Sequence, residues 1–97
     1  MLTDKIKEIG VDNDGRLYVR PCTQSFPYIY REAMEVQWDS ERGILYSPPP
    51  REWSYVDWFK QIHSAAKEQG VLLRLSQDTT WIDVPEAIRS DIIAWCN

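Results

Sequence analysis

Hydrophobic residues alternate with polar ones over the first twenty positions and then recur at three- and four-residue steps between positions 55 and 69. The first pattern has the period of a strand and the second that of a helix. In KIKEIGVDNDGRLYVRP, residues 5–21, Ile9 and Val11 lead into Asp12-Asn13-Asp14-Gly15, after which Leu17 and Val19 alternate with Arg16, Tyr18 and Arg20. This predicts a β-hairpin whose turn uses Gly15 at positive φ. Residues 27–38 carry Tyr28, Tyr30, Glu32, Met34, Val36 and Trp38 at alternate positions, which predicts a strand with one aromatic face and Glu32 in its middle. REAMEVQ contains good helix formers, so a helix over 30–38 competes; alternation and aromatic content favour the strand. DSERG, residues 39–43, forms the loop to a partner strand over 44–47.

Pro48, Pro49 and Pro50 cannot continue a central ladder and force an extended crossover. Ser54 then caps a helix from Tyr55, with Asp57 completing a variant of the capping box and Gly70 ending the helix. Val56, Phe59, Ile62 or His63, and Ala66 form its apolar stripe, and Trp53 packs back near Trp58 as a hydrophobic staple. Val71–Ser76 and Thr80–Ile82 read as two short strands turning at 77–79. Asp83 caps a final helix with Pro85 in its first turn and Ile88, Ile92 and Trp95 on one side. The order is β-β-β-β-α-β-β-α, a single α+β domain over residues 1–97 whose mainly antiparallel sheet carries two packed helices.

A chain of 97 residues allows one domain, and at this size folding buries roughly 65% of the surface. Five tryptophans enlarge the core available to so short a chain. The formal net charge of −4 is spread evenly, with six basic and eight acidic groups in residues 1–50 and five and seven in residues 51–97. Neither half offers the clustered Lys and Arg that nucleic acid backbones require, so no nucleic acid partner is expected. The N-terminus MLTDKIKEIG lacks the apolar core of a signal peptide, and no apolar run approaches the ~20 residues of a membrane span. Cys22 and Cys96 form no CxxC pair, which argues against a disulfide framework or a zinc site and for a reducing cytoplasm. DNDG lacks the glycine spacing and bidentate glutamate of a calcium loop, so neither metal nor cofactor is expected.

No segment carries a specific catalytic motif, and no catalytic residue is assigned. His63 lies near an apolar stripe, where a histidine serves as general base, as ligand or as a partly buried core side chain; the last reading is favoured. An acid-base pair of Glu32 and His63 would need the two to meet across sheet and helix. The leading expectation is an interaction protein, a homodimer or a binder of another protein, using rings left exposed among Tyr18, Tyr28, Tyr30, Trp38 and Tyr46. The alternative is a pocket in which Tyr28, Tyr30, Trp38 and Glu32 hold a flat cationic small molecule, unless Glu32 pairs with Arg20, Arg31 or Arg74. Acidity and small size also suit an inhibitor or immunity protein of a basic toxin.

Taken whole, the acidic, aromatic-rich chain, with strands such as GRLYVRP and EVQWDSERGILYSP, resembles orphan proteins carried on bacterial integron gene cassettes. The resemblance implies a bacterial cytosolic protein, often self-associating, and transfers no functional residue.

Overall fold

The longest apolar-polar alternation becomes the central strand. In the computed structural model, which describes residues 1–51 and 53–96, β1 spans Leu2–Val11 and buries Ile6 and Ile9. β2 (Leu17–Pro21) folds back on it antiparallel, with Ile9 opposite Val19 and Val11 opposite Leu17. The turn is an Asx structure: one Asp12 carboxylate oxygen accepts from the backbone N–H groups of Asp14 and Arg16 at 2.9 and 3.0 Å, and Gly15 takes φ 77°. β3 (Gln37–Asp39) and β4 (Ile44–Tyr46) form a second hairpin, its turn held by the Asp39 carboxylate accepting from Glu41 and Arg42 N–H. β5 (Val71–Arg74) and β6 (Thr80–Ile82) complete a six-stranded sheet of order β3-β4-β2-β1-β5, with β6 also paired to β1.

β5 and β6 do not form the hairpin expected from the turn at 77–79. Both run parallel to β1, β5 along Leu2–Lys5 and β6 along Glu8–Gly10, as two pieces of one interrupted edge. β6 pairs with the same β1 residues as β2 does, so it must lie on the opposite side of β1, the side that β5 occupies. Thr79 bridges the interruption. Its buried hydroxyl donates to the Ile6 carbonyl at 2.7 Å and accepts from Ser76 N–H at 3.0 Å, filling the gap in the ladder. The excursion from 76 to 79 is therefore a local bulge in a strand that keeps its direction, not a reversal.

The expected strand over 27–38 is also replaced, except at its end. Backbone bonds from Ile29 to Phe26, Arg31 to Tyr28, Glu32 to Ile29 and Val36 to Ala33 wind this segment into successive tight turns, with a single 3-10 turn at Ile29–Arg31. The buried residues are Phe26, Ile29, Ala33 and Val36, at steps of three and four. That helical spacing overrode the period-two pattern of Tyr28, Tyr30, Glu32 and Met34, which all face water.

Helix α1 (Tyr55–Glu68) forms as its caps require. Asp57 N–H donates to the Ser54 hydroxyl and Ser54 N–H to the Asp57 carboxylate, a reciprocal capping box, and Gly70 follows at φ 89°. Trp58, Phe59, Ile62, Ala65 and Ala66 are its buried face. The Trp53 and Trp58 rings lie 4.8 Å apart, the expected staple. Helix α2 (Glu86–Cys96) lies against α1 and sends Ile92 into the core; the other residues of the helix are partly or largely exposed. Asp83, expected as its N-cap, instead sits in the left-handed region at φ 55°, and the first helical bond runs from Arg89 N–H to the Pro85 carbonyl. Two helices on a mixed, mostly antiparallel sheet make the fold α+β.

Candidate functional site

Of the residues expected to line a cation pocket, Tyr28 and Tyr30 come together, while Glu32 and Trp38 each have another partner. Tyr28, just before the 3-10 turn, and Tyr30, within it, are both more than half exposed, with ring centroids 6.5 Å apart. The Arg31 guanidinium lies 4.6 Å from the Tyr28 ring centre and 6.0 Å from that of Tyr30, so a cation from the chain already occupies those faces. Glu32 is exposed and accepts from the Gln69 side-chain amide at 2.8 Å, where an arginine partner was expected. Trp38 turns away and packs edge-on against Phe26, centroids 5.8 Å apart.

Arg20 pairs with Glu8, its guanidinium donating to a carboxylate oxygen at 2.8 Å. The same oxygen accepts the Tyr18 hydroxyl at 2.7 Å. The Tyr18 ring lies over Gly10, where a Cβ would come within 2.5 Å of the ring, so glycine makes room for the aromatic. Burial first, and then the hydrogen bond to Glu8, push the Tyr18 phenol up to about 12, which keeps the donor protonated throughout neutral pH. This closed network accounts for Tyr18, one of the rings expected to be exposed on the sheet.

His63 occupies a different face. It lines a groove of about 510 Å³ with Leu72, Leu73, Arg74, Leu75, Trp95 and Cys96. Its Nε2 lies 3.0 Å from the Leu73 carbonyl, which can only accept, so Nε2 carries the hydrogen. Trp95 meets the imidazole edge-on at 5.0 Å and Phe59 at 5.9 Å. Glu32 and His63 thus hold separate partners and form no acid-base pair. Partial burial pushes the Cys96 thiol up, which disfavours the nucleophilic thiolate at neutral pH.

Burial lowers the His63 pKa from 6.5 and the nearby Lys67 ammonium adds to the shift, while the bond to Leu73 opposes it. The unfolded chain therefore binds the proton more readily than the folded one. The contribution to stability is complete above the unfolded pKa and is lost as pH falls from there through the lower folded pKa. The urea midpoint is expected to drop between about pH 7.5 and about pH 5.5, and His63→Gln is expected to reduce that drop. An equal drop in both proteins would remove His63 as its source.

The stretch expected to serve as linker, cap and staple borders a second groove. Pro48, Pro49, Arg51, Trp53, Trp58 and Glu35 line a groove of about 530 Å³, and a neighbouring recess adds Glu32, Met34 and Gln61. Met34 is 90% exposed and Trp53 44%, although Trp58 beneath is buried. The Trp53 ring, packed on the buried Trp58, borders both recesses. The signal in the sequence was the same staple: a ring that packs on one face presents its other to water.

A small α+β domain whose exposed Trp53 borders two shallow recesses is what these elements define. The chain belongs to the Hfx_Cass5 family of integron cassette proteins, whose family model matches residues 4–79. A solved structure, the integron cassette protein Hfx_Cass5 from the mobile metagenome of the North West Arm Sewage Outfall, is 47% identical over 97% of this chain and 95% of that one, with a TM-score of 0.50. No curated protein matches the chain. Among the described residues no helix is long and apolar enough to cross a membrane.

Proposed function

We propose that this integron cassette protein is an interaction module that self-associates through the Met34–Trp53 surface, with a second protein as the other class of partner for the same face. The observation that carries the reading is the exposure of Met34 and Trp53 in neighbouring recesses beside Pro48 and Pro49, with Glu35 and Arg51 at their edges. In this reading the contact is made by Trp53 at the junction of the proline crossover and α1, since Tyr18 is closed off by Glu8 and the exposed Tyr28 and Tyr30 faces already hold Arg31. Tryptophan dominates interface hot spots, and a two-fold dimer is the commonest closed assembly. Exposed free thiols at Cys22 and Cys96 suit a reducing cytoplasm.

Sedimentation equilibrium from low to high micromolar protein tests the reading. A dimer is expected, and Trp53→Ala is expected to raise its dissociation constant about 30-fold, the effect of a hot-spot residue worth about 2 kcal/mol. Because the Trp53 ring also staples the helix start, the variant's urea midpoint is measured alongside, and Met34→Glu, at a side chain that packs on little, provides an independent loss. A monomer throughout would overturn self-association.

A second reading, a site for a flat organic cation, is favoured by Glu35 standing in the same groove as the Trp53 and Trp58 rings. Titration with a planar aromatic cation, followed by tryptophan fluorescence, is expected to quench the wild-type protein. Glu35→Gln is expected to weaken binding about tenfold, corresponding to about 1.4 kcal/mol. Equal affinity for both proteins would end this reading.

A further inference from the structure

We propose that the dimer exchanges its C-terminal helices, so that α2 of each copy occupies the seat on α1 of the other. The inference rests on self-association and specifies its partner as a second copy of this chain. What fits the seat is visible in the structure. Ile92 is fully buried in the core, and Trp95 stands edge-on to Phe59 and His63 at 5.9 and 5.0 Å with the Lys60 ammonium 5.9 Å from its ring centre. An α2 from a second copy would make the same contacts, which is why exchange of an identical element costs little.

Within one chain the helix is lightly held. Ile92 is the one fully buried residue of α2; Ile88 packs on the core only partly buried, Trp95 remains 40% exposed, and Ile93 two positions before it is also open to water. The connection is short and strained. β6 ends at Ile82, Asp83 turns the chain at φ 55°, a left-handed conformation that costs any residue but glycine some strain, aspartate less than most, and Pro85 then stiffens the entry to α2. Short connections under strain favour exchange, because opening lets the hinge extend while the helix recovers its contacts on the partner. Ile82 is exposed directly before the hinge, where two extended connections would pass each other.

Two measurements test the exchange. Arg74 and Cys96 line the same groove, and Arg74 is exposed, so Arg74→Cys in a Cys22→Ser background places a second thiol beside Cys96 without disturbing the core. After mild oxidation of the dimer, non-reducing electrophoresis is expected to show covalent dimers; a link closed within single chains would show α2 on its own α1. In parallel, Asp83→Gly relieves the strain of the closed hinge and is expected to raise the dimer dissociation constant at least tenfold, whereas Asp83→Pro forbids positive φ and is expected to lower it. A dimer whose dissociation constant ignores both hinge variants, with links only within chains, overturns the exchange and leaves self-association standing. A monomer in every variant overturns both.

Discussion

Replacing Phe59 by alanine is expected to remove about 3–5 kcal/mol of folding stability, a large share of the roughly 5–15 kcal/mol a domain holds. Phe59 is 1% exposed and occupies the point where three layers meet. It belongs to the buried face of α1 that covers the sheet, and its ring takes the edge of Trp95 from α2 at 86° and 5.9 Å. Truncation opens a cavity that the sheet cannot close, because β1 and β2 are fixed by their ladder, and it also withdraws one wall of the α2 seat. Phe59→Leu refills most of the volume and is expected to cost about 1–1.5 kcal/mol. Urea unfolding followed by tryptophan fluorescence separates the two; a midpoint for Phe59→Ala within experimental error of Phe59→Leu would show that the aromatic contact and its cavity contribute little.

The elements with strong local chemistry were legible in the sequence. Ser54, Asp57 and Gly70 define both ends of α1 through bonds that any reader of capping rules can write down, and DNDG and DSERG mark the two antiparallel hairpins. What could not be read was any choice decided by tertiary partners. Phe26, Ile29, Ala33 and Val36 carry a helical period, while Tyr28, Tyr30 and Trp38 carry a strand period over the same residues, and only the core selects between them. Thr79 looks like a turn residue until its hydroxyl is found bonded to Ile6, seventy-three positions earlier, which keeps β5 and β6 on one edge of β1. The candidate site followed the same logic. Its rings at 53 and 58 were assigned correctly as a staple, but their open side depends on where the proline crossover runs, and that is set by the sheet order.

Asp4, a buried carboxylate in β1, yields the second large expectation. Its side chain is buried, and the carboxylate accepts from Thr23 N–H at 3.0 Å, Gln24 N–H at 2.9 Å and the Thr23 hydroxyl at 3.1 Å. These bonds hold the chain as it leaves β2 and turns toward Phe26, which is 2% exposed and packs against Trp38. Asp4→Ala leaves two backbone donors without their acceptor and is expected to cost about 2–4 kcal/mol, the penalty for orphaned donors that had met a charged partner. Asp4→Asn keeps an oxygen for the two N–H groups, and its amide can donate to the Thr23 hydroxyl, so about 1 kcal/mol is expected. Equilibrium unfolding gives both numbers, and hydrogen exchange at Thr23 and Gln24 should accelerate strongly in Asp4→Ala alone. If asparagine proves as costly as alanine, the charge, and not the geometry of the acceptor, fixes this loop to β1.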